Sequence, residues 1–241
     1  MKKFLAILLA LVMVISLVAC SKDDSSKNDD KQNDQQQEQD NSSNNGKEDG
    51  KKDDNSSTPS GGWTMQTSKE NPIYTVGEVD GSKYAQPVLV TSFGQSTDAA
   101  MLETVMKKAG VAEYTYNATA TKDDVAGYKT VIIAVGASTK GLGAAGISES
   151  AEKTRAEEFM AALGDDVQVI MCHLGGINRR GDLSDELADM VMAKASFLVV
   201  KEDGNDDGYF TDFASKNNLP ISLIFTAKDS ITVFTDLFAA K

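Results

Sequence analysis

The hydrophobic residues of the chain form short runs between polar segments, and from Pro87 onward the runs alternate between two patterns. Short continuous runs rich in Val and Ile predict buried strands, whereas apolar residues spaced three and four positions apart predict helices packed on a sheet. The predicted strands are 73–76, 88–92, 114–116, 131–135, 167–172, 197–200 and 221–225, and the predicted helices are 97–109, 122–126, 149–163, 185–193, 209–216 and 230–238.

The alternation of strands and helices predicts the fold class. Right-handed crossovers between successive strands produce a parallel sheet with helices on both faces. We therefore expect one doubly wound α/β domain, Rossmann-like or flavodoxin-like, with a mainly parallel sheet of about six strands. It spans residues 63–241 and has its core at 87–238. In such a sheet the carboxyl ends of the strands share one edge, where ligands bind; we call it the carboxyl edge.

The N-terminal residues have the pattern of a lipoprotein signal. Residues 1–20 combine a basic start, an apolar run and Cys20 directly after a small residue. The last four residues of this segment resemble a bacterial lipobox, in which Cys20 becomes the lipid-modified first residue of the mature protein. An ordinary signal peptide or an uncleaved anchor is the alternative. We expect lipid attachment at Cys20 on the extracytoplasmic face of the cell membrane.

Residues 21–62 are almost entirely polar and contain no aliphatic or aromatic side chain. Such a segment cannot bury apolar surface, so it is predicted to be a disordered linker between the lipid and the domain. The full chain has a net charge of −12, and most of that charge falls in the folded domain. An acidic domain is a poor candidate for nucleic-acid binding, which depends on basic surface. We expect no nucleic-acid partner and no cofactor.

Three of the predicted strand-end loops are rich in glycine and polar side chains, and they form the expected ligand site. Backbone N–H groups at such turns and at helix N-termini bind anions, and arginine side chains suit carboxylates and phosphates. The candidate ligand-binding residues are Gly94, Gln95, Ser96, Gly136, Ser138, Lys140, Gly141, Gly143, His173, Gly175, Gly176, Arg179 and Arg180.

Each of these loops also has a purely structural interpretation. Ser96 fits an N-cap, and the arginine pair has acidic residues close by in sequence. Residues 141–146 match the GxGxxG pattern of dinucleotide sites, but the pattern starts several residues after the strand and the expected acidic residue is missing. His173 is the only histidine, so a multi-histidine metal site is excluded, and a buried structural histidine is the alternative to a catalytic base.

The loop after the strand at 197–200 carries a weak calcium pattern. Asp203, Asn205 and Asp207 match the first ligand positions of a calcium loop, but Ala214 stands where the closing acidic ligand belongs. A helix-capping turn is the alternative.

The four loop regions PVLVTSFGQS, GASTKGLGAAGIS, HLGGINRRGDLSD and KEDGNDDGYFTDFA resemble a bacterial family of secreted and lipid-anchored α/β domains of unknown function. The resemblance covers most of residues 87–238. It implies that these loops are the shared features of the family, and it implies no activity.

Three functional hypotheses follow. The first is a membrane-tethered module that binds a small anionic or polar ligand at the carboxyl edge. The second is a hydrolase or transferase with Ser138 or Ser96 as nucleophile, His173 as base and Asp203 or Asp207 orienting the histidine. The third is an accessory subunit of an envelope complex that binds a protein partner, which exposed apolar patches on the outer helices would favour.

Overall fold

A computed structural model describes residues 63–239. The predicted signal at 1–20, the lipidation site Cys20 and the predicted linker at 21–62 lie outside the described residues. The strands are β1 Ile73–Val76, β2 Val88–Phe93, β3 Tyr114–Tyr116, β4 Thr130–Val135, β5 Gln168–His173, β6 Phe197–Lys201 and β7 Ile221–Ile224. The helices are α1 Asp98–Ala109, α2 Thr139–Ala145, α3 Glu149–Ala162, α4 Asp182–Met192, α5 Tyr209–Asn217 and α6 Ser230–Phe238.

The strands form one sheet in the order β1-β7-β6-β5-β4-β2-β3. All neighbouring pairs are parallel except β1, which pairs antiparallel with β7 and places Ile73 opposite Ile224. The prediction of an α/β domain with a mainly parallel sheet is confirmed. The sheet has seven strands instead of about six, because β1 extends it at one edge.

Both faces of the sheet are covered, which explains why the strands are continuous apolar runs. Alternate residues of β2 point in opposite directions: Val88 and Val90 pack with α1 and α6, whereas Leu89 and Phe93 pack with α3, α4 and α5. Every residue of β2 and of β4 is buried. Burial on two faces removes the polar alternation that a one-sided sheet would show. None of the helices in residues 63–239 is long and apolar enough to span a membrane.

The direction in which the sheet grows changes at β2. The chain passes from β2 to β3 on one side and then crosses to β4, which pairs with β2 on the other side. The loops that follow β2 and β4 therefore leave the sheet next to each other and lead to helices on opposite faces. This point lies on the carboxyl edge, where several candidate residues were predicted.

Two predicted segments differ in the structure. The glycine-rich segment after β4 is not an open loop: it forms α2, capped by the Ser138 hydroxyl at its start and ended by Gly146 in the left-handed conformation. The sequence did not predict this helix, because glycine is a poor helix former. Helix α4 starts at Asp182, three residues before the predicted start, and the predicted helix at 122–126 is a 3-10 turn at Lys122–Asp124.

Candidate functional site

The crevice between the loops after β2 and β4 is filled by the chain itself. The Gly136 N–H donates to the Phe93 carbonyl at 3.0 Å, and the Ser138 N–H donates to the Gly94 carbonyl at 2.8 Å. Gly94 has a φ of 96°, and a Cβ there would lie 2.5 Å from the Gly136 carbonyl oxygen. The predicted glycines at 94 and 136 thus allow the two backbones to touch at this point.

A buried carboxylate also accepts the backbone N–H of Gly94, one of the groups expected to bind an anion. Glu152 of α3 is fully buried and accepts the Gly94 N–H at 2.7 Å and the Gln95 side-chain amide at 3.3 Å. Arg155 pairs with Glu152 and donates to the Ser92 carbonyl. Helical spacing cannot reveal this network, because the partners lie far away in sequence.

The glycines of the GxGxxG pattern in α2 have different environments. A Cβ at Gly141 would lie 1.8 Å from the Gln95 carbonyl oxygen, so this glycine lets α2 pack against the loop after β2. Gly143 faces open space within 4 Å. The Ser138 hydroxyl accepts the Gly141 N–H at 3.1 Å and caps the helix. Lys140 is exposed. The pattern is therefore a packing feature of a short helix, and its backbone donors are used internally.

Arg180 is committed to contacts within the chain. Its guanidinium makes two hydrogen bonds to Asp185 at 2.8 and 3.1 Å, two to Asp207 at 3.0 Å each, and one to the Gly204 carbonyl at 2.7 Å. The group also lies over the Tyr209 ring. All five N–H donors of the guanidinium thus have partners. The Arg180 guanidinium therefore has no donor left over for a ligand in this arrangement.

The three residues of the calcium hypothesis make other contacts in this arrangement. Asn205 is buried, and its Oδ1 accepts the N–H groups of Phe210 and Thr211, which caps α5. Asp203 pairs with Lys201 at 2.5 Å, and Asp207 pairs with Arg180. Within residues 63–239, no group of three or more acidic, histidine or cysteine side chains could hold a metal ion. The segment is the helix-capping turn that the sequence left as the alternative.

His173 is a structural residue in this arrangement. It is 1% exposed, and its ring nitrogens Nδ1 and Nε2 lie 3.1 and 3.0 Å from the carbonyl oxygens of Val135 and Gly176. Burial lowers the pKa of the imidazole, although the two carbonyls and Asp98 oppose this effect. Within the described part of the chain neither nitrogen bonds to a hydroxyl. The expected Ser138 and His173 catalytic pair is therefore not formed, because each side chain already has another partner.

Gly175 and Gly176 bring the loop after β5 against its neighbours. A Cβ at Gly176 would lie 1.9 Å from an Asp203 oxygen, and one at Gly175 would lie 2.0 Å from Cγ of Arg179. Gly176 also has a φ of 62°. The Arg179 side chain therefore lies directly on the backbone of its own loop.

Five residues converge at the ends of β2, β4 and β5, and we call them the Arg179 site: Ser96, Asp98, Gly136, Gly175 and Arg179. The position that a Cβ of Gly136 would take is 3.3 Å from the Ser96 hydroxyl, 3.4 Å from Cβ of Arg179 and 3.4 Å from Oδ2 of Asp98. The Asp98 oxygen also lies 3.0 Å from the corresponding position at Gly175. Three loops that are far apart in sequence thus place a hydroxyl, a carboxylate and a guanidinium stem around one point.

Asp98 is the residue of this site that the sequence did not indicate. It is 3% exposed, and its Oδ2 has no hydrogen-bond partner among the described residues. Burial raises the pKa of Asp98, while His173, Ser96 and Arg179 partly oppose the shift. In the sequence it was an ordinary acidic residue in the first turn of a helix, a position that favours acids. Only the packing of the other loops over it shows that it is unusual.

Arg179 differs from its neighbour Arg180 in its hydrogen bonds. It is half-buried, and its guanidinium has no hydrogen bond or ion pair with any residue in 63–239. The Asp98 carboxylate is close enough to interact with it electrostatically. A cavity of about 200 Å³ close by is lined by Ala137, Arg180 and Ser184, and not by Arg179 itself.

The first described residues are bound to the same edge. Glu202, which follows β6, is fully buried and accepts hydrogen bonds from the Trp63 indole at 2.6 Å and from the backbone N–H groups of Gln66 and Thr67 at 2.7 Å each. The backbone N–H of Trp63 donates to the Asp206 carbonyl at 2.9 Å. We call residues 63–67 the strap. The strap therefore lies against the carboxyl edge of the sheet.

The outer helices carry little exposed apolar surface. The large apolar side chains that are exposed within residues 63–239 are Met65, Tyr74, Val76, Met101, Ile177 and Phe225. Of these, only Met101 lies on one of the six α-helices. The feature that would favour a protein-binding accessory subunit is thus not found on the helices.

A sequence profile described as a domain of unknown function (DUF6305) matches residues 85–238, and the chain belongs to this family. The resemblance to a family of unknown function is thereby confirmed. The match runs from before β2 to the end of α6, so it includes the whole Arg179 site. No curated protein and no solved structure matches the chain.

Proposed function

We propose that this member of the DUF6305 family is a membrane-tethered extracytoplasmic module that binds a small anionic or polar molecule at the carboxyl edge of its sheet. The observation that carries the proposal is the contrast between the two adjacent arginines. Arg180 has a partner for every donor, whereas Arg179 is half-buried beside a buried carboxylate and has none among residues 63–239. A guanidinium that is partly removed from water and left unpaired is an available site for a carboxylate or phosphate.

The strand order supports this location. The parallel strands run β3-β2-β4-β5-β6-β7, which is the flavodoxin-like arrangement of a doubly wound sheet. In such folds ligands bind outside the carboxyl ends of the strands at the point where the strand order reverses. Here that point lies between β2 and β4, and Ser96 and Gly136 of the Arg179 site follow these two strands.

The start of α1 supplies further donors for an anion. The side chain of the N-cap residue Thr97 makes no capping hydrogen bond. It therefore does not occupy the backbone N–H groups in the first turn of this 12-residue helix. The positive end of the helix dipole then lies beside the Arg179 site. The predicted ligand residues Ser96, Gly136, Gly175 and Arg179 stay in the proposed site. The remaining predicted residues of the set serve packing or capping contacts or lie exposed on α2.

The strap supports the tethering part of the proposal. A lipid on Cys20 and a linker of 42 residues would join the domain through Trp63, at the same edge as the Arg179 site. A flexible linker of that length has a typical span of about 35 Å. The site would thus lie on the side of the domain from which the tether leaves, within reach of molecules close to the membrane surface.

The test is a thermal unfolding titration of the purified full-length chain with acetate, propionate and inorganic phosphate at constant ionic strength. A ligand at ten times its Kd stabilises the native state by about 1.4 kcal/mol, which a thermal shift detects. We expect a saturable increase for at least one anion in the parent protein, with an apparent Kd about tenfold higher in Arg179→Gln. Without ligand the variant should unfold near the parental temperature.

Lys107→Gln is the matched control, because Lys107 is an exposed cation in the last turn of α1, at the other end of the same helix. It should titrate like the parent protein. The proposal is wrong if no anion stabilises the parent protein, or if Arg179→Gln responds as the parent does.

A further inference from the structure

The Arg179 site contains a group that a simple anion does not use. A carboxylate or phosphate needs positive charge and hydrogen-bond donors, and Arg179 with the start of α1 can provide both. Asp98 is an acceptor and carries negative charge when ionised. Its Oδ2 is buried and has no partner among the described residues, although such an oxygen is costly to leave unpaired. A ligand that consisted only of an anionic group would leave this oxygen unpaired.

The geometry points to a ligand that carries a hydrogen-bond donor next to its anionic group. We infer that the site takes a small α-amino or α-hydroxy carboxylate, whose carboxylate pairs with Arg179 and whose ammonium or hydroxyl group donates to Oδ2 of Asp98. This inference rests on the function proposed above and specifies the ligand class for the same site.

The positions of the groups fit a ligand of that size. The Asp98 oxygen and Cβ of Arg179 lie equally far, at 3.4 Å, from the position that a Cβ of Gly136 would occupy. The acceptor and the base of the arginine side chain therefore lie within about 7 Å of each other, a separation that one small molecule can span. The Arg179 stem lies against Gly175, and the Asp98 oxygen is 3.0 Å from the Cβ position of the same glycine, so the two side chains meet at Gly175.

Asp98 also explains why the site would discriminate. A buried polar group that only the correct ligand satisfies rejects analogues that lack the matching group, since the analogue leaves the acceptor unpaired. Ser96 cannot replace this function, because its hydroxyl accepts the Asp98 N–H at 3.3 Å. The carboxylate is therefore the part of the site that would separate amino and hydroxy acids from plain acids.

The test compares propionate, L-lactate and L-alanine, which share three carbons and a carboxylate and differ only in the group at the α-carbon. Their Kd values are measured by calorimetry and thermal shift on the full-length parent chain, on Asp98→Asn and on Asp182→Asn. Asp182 is the control because it is also the first residue of a helix, α4, but it is exposed. Asp98→Asn should fold, since it keeps the shape and removes a buried charge.

We expect the parent protein to bind lactate or alanine about tenfold more tightly than propionate, as one charge-assisted hydrogen bond provides. Whichever of the two binds more tightly identifies the donor as hydroxyl or ammonium. The preference should disappear in Asp98→Asn and persist in Asp182→Asn. Equal binding of all three acids by the parent protein would overturn the inference and leave the proposed function intact. If none of the acids and no phosphate binds, both fall together.

Discussion

At the scale of single residues, glycine has two separate roles in this domain that its sequence pattern does not distinguish. Gly141 and Gly143 belong to the same GxGxxG match and the same short helix. Gly141 touches the backbone of the loop after β2, while Gly143 has no neighbour within 4 Å of its Cβ position. One glycine is therefore required by close packing, and the other is merely tolerated on an exposed helix surface.

This difference predicts opposite effects of the same substitution. Gly141→Ala should destabilise the domain by about 1–3 kcal/mol, because the new methyl group forces a backbone carbonyl to move. Gly143→Ala should stabilise it by about 0.5–1 kcal/mol, because alanine is the better helix former in an open position. Urea unfolding of the two variants and the parent chain measures both values. Equal effects of the two substitutions would show that α2 does not pack against Gln95 as described.

The two adjacent arginines also have different roles that their sequence pattern does not distinguish. From the sequence, Arg179 and Arg180 were equivalent candidates in one glycine-framed loop. The structure gives one of them five internal hydrogen bonds and leaves the other without a partner in the part of the chain that it describes. The sequence could not separate them, because the partners Asp185 and Asp207 come from two different elements and their geometry depends on the packing of three loops.

At the scale of elements, the strands and most helices were predictable because their patterns follow from burial. Strands β3 and β7 and helix α6 start at the predicted residues, since continuous apolar runs and helical spacing report directly which faces are covered. The exception is α2, whose composition disfavours a helix. It exists because Ser138 caps its start and the helix packs against the loop after β2. Such tertiary support overrides propensity and leaves little trace in sequence.

The strap gives a prediction at this scale. Burial favours the protonated form of Glu202, but hydrogen bonds from Thr67, Trp63 and Gln66 outweigh it and hold its pKa below the usual value. A lowered folded-state pKa means that the carboxylate stabilises the domain above the normal pKa of glutamate, and that this contribution is lost as the pH falls through the folded-state value. Glu202→Gln should therefore cost about 2 kcal/mol at pH 7.

The difference between Glu202→Gln and the parent chain should shrink as the pH falls below the ordinary pKa of glutamate, about 4.3, and should be lost below the lower pKa of the folded state, where the parental carboxylate is itself protonated. Unfolding in urea at several pH values measures it, and tryptophan fluorescence is a suitable probe because Trp63 is the only tryptophan and belongs to the strap. Glu113→Gln, at an exposed glutamate, is the control and should show no such trend. A pH-independent difference would show that Glu202 does not bind the strap as a carboxylate.

At the scale of the whole molecule, the sequence predicted the fold better than it predicted which side chains contact one another. The alternation of elements was sufficient to assign an α/β domain and to locate the carboxyl edge, and Ser96, Gly136, Gly175 and Arg179 do meet there. The sequence did not indicate Asp98, and Arg180 and Asp203 pair with charged side chains of the chain itself. What decided these cases was which polar groups satisfy one another across loops, and that depends on distances that a single sequence does not contain.

The central claim is that anions bind at the Arg179 site, and the most direct measurement locates binding on the full-length chain by ¹⁵N nuclear magnetic resonance. Titration with inorganic phosphate and then with L-lactate should move the amide signals of Ser96, Asp98, Gly136 and Gly175 and the side-chain Nε signal of Arg179 along saturable curves. The amides of Gly110 and Gly127, at the opposite edge of the sheet, should stay unchanged. Saturable shifts that occur only away from the Arg179 site, or no saturable shift with either anion, would contradict the account.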